Sequence, residues 1–198
     1  MRPLPFVWPF ALVFWVVYVW AFAPEFGIIR RAQKADRASA GSQDSRSMQV
    51  IIMGMWLGLL IAFPIAFRRS FAMTGFVKTL AYWGGTALLA AGSLLRRHCW
   101  RMLGEYFTGN VQTVERQPVI DRGAYAYVRH PSYTAGVMMF SGIGLALGNW
   151  LSLAITFLSA AAVYAYRVRV EERALVAALG VPYVDFMKTR KRFVPFLF

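Results

Sequence analysis

Two stretches of this 198-residue sequence combine charged and aromatic side chains at spacings that could support chemistry. The first ends in Asp121, Arg122, Gly123, Ala124, Tyr125, Ala126, Tyr127, Val128, Arg129, His130, Pro131, Ser132 and Tyr133. Pro131 pushes His130 out of helical geometry and suits the first turn of a helix. Amide hydrogens of that turn would point back toward Arg129 and His130, and a helix start with converging donors can hold a carboxylate. The plainer reading is an interfacial anchor, because such residues gather where helices leave a membrane. The second stretch is Tyr166, Arg167, Val168, Arg169, Val170, Glu171, Glu172 and Arg173. Arg167 and Glu171 are four apart and share a face if a helix continues through them. That face could grip two ligands of opposite charge; equally, it could be a solvated helix end with an ordinary ion pair.

Other chemistries find little support. Cys99 is the one cysteine, so neither an intrachain disulfide nor a thiolate zinc site is available. His98 and His130 have no partners at metal-ligand spacing, and no metal is expected. Gly142, Gly144 and Gly148 resemble the glycine fingerprint of soluble cofactor-binding sheets, but that motif has meaning only between a strand and a helix. Inside an apolar run these glycines are expected to serve helix packing.

The elements that must position the charged stretches are hydrophobic. Apolar residues make up 58% and charged residues 16% of the chain, against roughly 45–50% and about 25% in soluble domains. This excludes a disordered chain, a disulfide scaffold and a soluble nucleotide-binding sheet. The expectation is an all-α, polytopic integral membrane protein with about five transmembrane helices, near 6–22, 48–67, 76–95, 133–147 and 151–166. The last two are separated only by Gly148, Asn149 and Trp150 and read as a tight hairpin. Arg2 and the triplet Ala21, Phe22, Ala23 resemble a cleavable signal, but the run between them is long and aromatic, so a retained helix is expected. Gly54 and Gly58, and Gly144 and Gly148, have the spacing that lets helices approach closely. The chain reads as one membrane-embedded domain over 1–198, with three helices in 1–95 and a loop, hairpin and C-terminal segment in 96–198.

A formal charge of +13 would suggest nucleic acid in a soluble chain. Here its placement points elsewhere. Of the 22 Lys and Arg, all but Arg2, Arg68, Arg69 and Lys78 fall in the first loop, the third loop or the C-terminal tail. By the positive-inside bias these three segments face the cytoplasm, across the inner membrane if the source is bacterial. No nucleic-acid partner is expected. The loop at 32–47 reads as a polar connector, and the tail after Gly180 as an amphipathic basic segment able to lie on the bilayer.

The stretch 123–136, followed after the hairpin by Glu171, Glu172, Leu175, Gly180, Tyr183, Arg192, Phe193, Val194 and Pro195, resembles the isoprenylcysteine carboxyl methyltransferase family, itself related to membrane phospholipid methyltransferases. The resemblance covers roughly 103–195. It implies methylation of a carboxylate with S-adenosyl-L-methionine, bound beside the membrane and roofed by the C-terminal segment. It also implies that Gln112, Gln117, Pro118, Val119, Ile120, Tyr125, His130, Pro131, Ser132, Tyr133 and Glu171 bind the cofactor. Arg167 would face the substrate carboxylate, with Arg129 as a second catalytic candidate. One departure is Ala124, where family members often carry Pro in a Gly-Pro-Tyr turn.

Such a reaction needs few titratable groups. A carboxylate is already ionised at neutral pH, so neither a general base nor a metal is required, and alignment with exclusion of water carries the catalysis. The acceptor implied is a lipophilic carboxylate, such as that of a prenylated cysteine, entering from the bilayer. Two other activities stay open: N-methylation of a phospholipid amine, and a sterol-type membrane reductase using NADPH. A non-catalytic membrane scaffold is the third possibility. All enzymatic readings require the loop before the hairpin and the segment after it to meet, with Tyr133 close to Glu171.

Overall fold

The computed structural model describes residues 2–38, 45–104 and 119–193. These form six α-helices: α1 Phe10–Ala38, α2 Ser45–Ala66, α3 Gly75–Leu103, α4 Pro131–Ala146, α5 Trp150–Leu179 and α6 Val181–Thr189. Short 3-10 turns occur at Leu4–Phe6 and Gly123–Ala126. Among the described residues there is no strand, only two isolated bridges, so the fold is all-α.

Helix boundaries differ from the expected ones for identifiable reasons. The first helix starts at Phe10, because Pro9 disfavours helical geometry in Trp8. It then continues to Ala38, and α2 starts at Ser45, so the expected connector at 32–47 is helical over much of its length. Ala32, Gln33, Lys34 and Ala38 favour helix, and no Gly or Pro interrupts them. The last long helix runs on from Tyr166 to Leu179, where Gly180 ends it at a φ of 62°.

Three helices are long and apolar enough to cross a membrane among the described residues, over Phe10–Gly27, Gln49–Ala66 and Trp150–Leu179. Helix α3 is 29 residues long but carries Lys78 near its start and Arg96, Arg97 and Arg101 near its end. Helix α4 has 16 residues, a length of about 24 Å, short of the roughly 30 Å hydrocarbon core. Side chains such as Val16, Trp56, Leu60, Phe76 and Leu158 point outward from α1, α2, α3 and α5. In lipid such surfaces carry no penalty, whereas in water they would be contiguous apolar patches.

Helix α4 lies inside. Every residue in it is buried or half-buried, and it packs against both α3 and α5. That is why its sequence is apolar all round instead of on one stripe. Glycine makes the contact possible. A Cβ on Gly85 would lie 2.4 Å from the Ala146 backbone nitrogen, and one on Gly142 would lie 2.6 Å from the Gly85 carbonyl oxygen. Gly54 and Gly58 admit Val163 and Ser159 of α5 to α2, and Gly144 admits Thr156 of α5 to α4. Gly148 has a different task, a φ of 69° in the turn between α4 and α5.

One end of the bundle is tied by Asn149, which is fully buried. Its Oδ1 accepts from the Leu151 and Ser152 amides at 3.0 and 3.2 Å, capping α5, while Nδ2 donates to the Ser70 carbonyl at 3.0 Å. The polar groups discussed below gather at the other end.

Gly84 and Gly85 provide a test of this packing. A Cβ on Gly84 meets nothing nearer than Leu145 Cδ2 at 3.9 Å. Gly85→Ala is expected to cost about 2 kcal/mol or more through overpacking, whereas Gly84→Ala is neutral or gains up to about 1 kcal/mol of helix propensity. Thermal unfolding in detergent micelles compares the two.

Candidate functional site

The site is built from the start of α4 and the last four turns of α5, with the loop at 119–130 and the segment at 190–193 closing around them. The loop and the C-terminal segment pair backbone to backbone. The Arg129 amide donates to the Lys191 carbonyl at 2.8 Å and the His130 amide to the Arg192 carbonyl at 3.0 Å, forming a short parallel bridge. Thr134 Oγ1 donates to the Phe193 carbonyl at 2.8 Å. The tail expected to lie on the bilayer is thus, over 190–193, stitched to the start of α4.

Beneath this strap sits Glu172, 4% exposed. Its Oε1 lies 3.1 Å from Arg129 Nη2 and 3.2 Å from His130 Nε2, and its Oε2 lies 2.8 Å from Arg192 Nη2. Arg129 also donates to the Met187 carbonyl at 3.1 Å, so α6 is held by the same knot. Breaking a buried pair by removing one partner is costly, because the other charge stays behind.

Glu171, one residue earlier, faces a different way and keeps 28% of its side chain exposed. Tyr133 donates its hydroxyl proton to Glu171 Oε2 at 2.5 Å. Arg167, one turn back on α5 and 3% exposed, lies beside the same hydroxyl. A cation, a phenol and a carboxylate therefore stand in a row. Two rings stack on Tyr133: His130 at 5.6 Å between centroids, and Tyr164 at 4.9 Å. Gly136 makes room for Tyr164, since a Cβ there would lie 2.2 Å from its hydroxyl oxygen.

The loop before α4 rests on the end of α3. Gly123 turns with a φ of 61° against His98 and Met102. Tyr125 is buried at 7% exposure, close to Cys99. Burial pushes the Tyr125 hydroxyl well above its ordinary range, and nearby Cys99 and Glu171 push the same way. Burial likewise raises Tyr183 on α6, reinforced by Glu171 and Glu172. Both phenols stay protonated at neutral pH.

Of the residues named from sequence, Tyr125, Arg129, His130, Pro131, Ser132, Tyr133, Arg167 and Glu171 are brought to this one end, with Val119 and Ile120 half-buried at the loop's start. Gln112, Gln117 and Pro118 lie outside the described residues. Among the described residues no group of His, Cys, Asp and Glu could hold a metal. Sequence reasoning missed Glu172 as the clamp, Arg192 as its partner and Arg96 of α3. Arg96 donates from Nη1 to the Ser132 carbonyl at 2.9 Å and grips Glu25 of α1 with its other nitrogens. Glu25 did carry a signal: it is the first acid in the chain, set in an apolar helix.

Removing either partner of the knot should separate buried from exposed contributions. Glu172→Ala is expected to destabilise by about 3 kcal/mol. Arg192→Ala should cost under about 1 kcal/mol, its side chain being 45% exposed. Chemical denaturation in mild detergent reads the difference.

Comparison with known proteins follows the same region. Residues 85–177 match the family model for the isoprenylcysteine carboxyl methyltransferase (ICMT) family, beginning within α3 and ending before the C-terminal segment. Protein-S-isoprenylcysteine O-methyltransferase of Schizosaccharomyces pombe is 26% identical over 127 residues, 63% of this chain and 54% of that protein. The protein of the same name from Dictyostelium discoideum is 27% identical over 136 residues, 67% of this chain and 57% of that one. The Saccharomyces cerevisiae protein is 28% identical over 115 residues, 57% and 48% of the two chains. The chain thus spans about half the length of the curated relatives it matches. In fold it is similar to the eukaryotic intramembrane Ras methyltransferase ICMT, with a TM-score of 0.56 and 22% identity over 80% of this chain and 55% of that one. The resemblance read from the residues around Arg129–Tyr133 and Glu171 is borne out over 85–177: from within α3 to near the end of α5, the helices that build the site, this chain matches the ICMT family model.

Proposed function

We propose that this chain is a membrane methyltransferase using S-adenosyl-L-methionine to methylate the carboxylate of a lipophilic substrate, such as a prenylated cysteine, at the cytoplasmic face. The observation that carries the proposal is the row Arg167, Tyr133, Glu171, assembled from two segments far apart in sequence. The names of the curated relatives supply the acceptor class, and the placement of Lys and Arg supports the cytoplasmic side.

The donor set suits the cofactor. Glu171 is part-exposed and able to receive an amine or hydroxyl, while its neighbour Glu172 is sealed by cations. His130, Pro131, Ser132 and Tyr133 offer a helix start and ring faces beside it, with Tyr125, Val119 and Ile120 behind. Gln112, Gln117 and Pro118, outside the described residues, belong to this proposed binding set on the family resemblance alone. The bound cofactor supplies an activated methyl on a sulfonium. Arg167 holds the acceptor carboxylate with a planar fork that fixes its direction better than a point charge would. Burial of Arg167 keeps water from that contact. No base is needed, and the protonated Tyr125 and Tyr183 offer none. Arg129, engaged by Glu172 and the Met187 carbonyl, acts here as a positioning residue.

An amine acceptor fits less well, because it must lose a proton before attack and a neighbouring guanidinium opposes its approach in protonated form. Arg167→Ala distinguishes these acceptors. Turnover of a prenylcysteine with labelled methyl donor is expected to fall at least about a hundredfold, while S-adenosylhomocysteine binding persists. Turnover spared with binding intact would overturn the carboxylate assignment. A thermal shift with NADPH but none with S-adenosylhomocysteine would instead favour a reductase.

A further inference from the structure

Arg96 reaches the candidate site from a helix outside the cofactor set described above. It sits on α3 with its side chain 12% exposed, facing Glu25 of α1, which is 16% exposed. Nε donates to Glu25 Oε1, and Nη2 donates to Oε2 at 3.0 Å, so the carboxylate takes both forks. The third nitrogen turns the other way. Nη1 donates to the Ser132 carbonyl at 2.9 Å and to Ser132 Oγ at 3.2 Å. The guanidinium carbon also lies 5.4 Å from the centre of the Trp100 ring. One side chain thus spends every direction of its fork on two helices.

Its position matters because Ser132 precedes Tyr133 in the first turn of α4. Holding the Ser132 carbonyl fixes the rotation of that turn, and with it the direction of the Tyr133 hydroxyl toward Glu171. Glu25 in turn holds the guanidinium in the orientation that leaves Nη1 for Ser132, as a bidentate pair does through fixed geometry. A lysine has three donors on one nitrogen but no planar fork, so it would not hold the carboxylate and the Ser132 carbonyl in this fixed geometry. In a lipid-bounded site an ion pair is expensive to keep, which makes a role beyond packing worth seeking.

We infer that Glu25 and Arg96 are positioning residues: α1, through the Arg96 fork, sets the first turn of α4 for binding of the methyl donor. This rests on the methyltransferase reading above. It adds that the first helix, lying outside the matched family region, is part of the machinery of donor binding.

The test uses the full chain in detergent, with S-adenosylhomocysteine titrated by calorimetry and folding followed by thermal unfolding. Arg96→Lys is expected to leave a folded protein whose affinity for S-adenosylhomocysteine falls about tenfold, the scale of one lost charged hydrogen bond. The donor KM should rise by a similar factor while the acceptor KM stays unchanged. The exchanged pair Glu25→Arg with Arg96→Glu restores an ion pair between α1 and α3 but offers Ser132 a carboxylate in place of a donor. Relative to Arg96→Gln it is expected to recover thermal stability without recovering affinity. Recovery of both, or wild-type affinity in Arg96→Lys, would overturn the inference by reducing the pair to a helix tie. Failure of the unmutated protein to bind S-adenosylhomocysteine would instead sink the methyltransferase reading itself.

Discussion

A carboxylate withdrawn from water must be matched by cations and hydrogen-bonding groups, and at Glu172 this requirement shapes one whole end of the molecule. Arg129 comes from the loop before α4, His130 from the residue capping α4, and Arg192 from the segment after α6. Arg129 is the buried cation among them, and its loss would leave the Glu172 charge without its buried partner. The knot therefore joins the loop before α4 to the end of α5, 42 positions on, and the segment after α6 to the same carboxylate, 20 positions on, and the backbone bridge between Val128 and Lys191 follows beside it. Glu171, next in the helix yet turned elsewhere, is left part-exposed above a sealed base. The same two adjacent acids thus divide between holding the fold and, in the proposed function, holding a ligand.

The second constraint is the close approach of helices in lipid. Without a hydrophobic force between them, helices associate through backbone contact at small residues. Gly85 against Gly142, and Gly144 against Thr156, sink α4 between α3 and α5. A central α4 puts its first turn next to the C-terminal half of α5, within reach of Arg167 and Glu171. Tyr133 then meets Tyr164 across the gap that Gly136 leaves open. Packing chosen for membrane association and geometry suited to a polar site come from the same glycines.

Much of this was legible in the sequence, for physical reasons that differ by element. Apolar runs marked the helical core, and Pro131 marked the start of α4, because proline acts locally on the backbone. Arg167 and Glu171 were paired by helical spacing alone. Boundaries were harder. The polar segment after α1 looked like a loop because it lacks an apolar stripe, yet alanine, glutamine and lysine carry a helix on propensity. Hydropathy falls at Arg167, while the α5 helix runs on to Leu179. Specific three-dimensional partners were out of reach: nothing in the sequence says that Glu25 meets Arg96, and the expected roof over the site carried no pairing of 191–193 with 128–134. Those contacts span long separations and depend on helices being placed first.

The central claim is that the loop before α4 and the end of α5 make one binding site, joined where Tyr133 meets Glu171. A double-substitution cycle tests it directly, with S-adenosylhomocysteine affinity measured by calorimetry for Tyr133→Phe, Glu171→Gln and the two combined. If the two side chains serve one ligand as a unit, each single change weakens binding about as much as both together. Independent, additive losses, or an affinity untouched by either change, would contradict it.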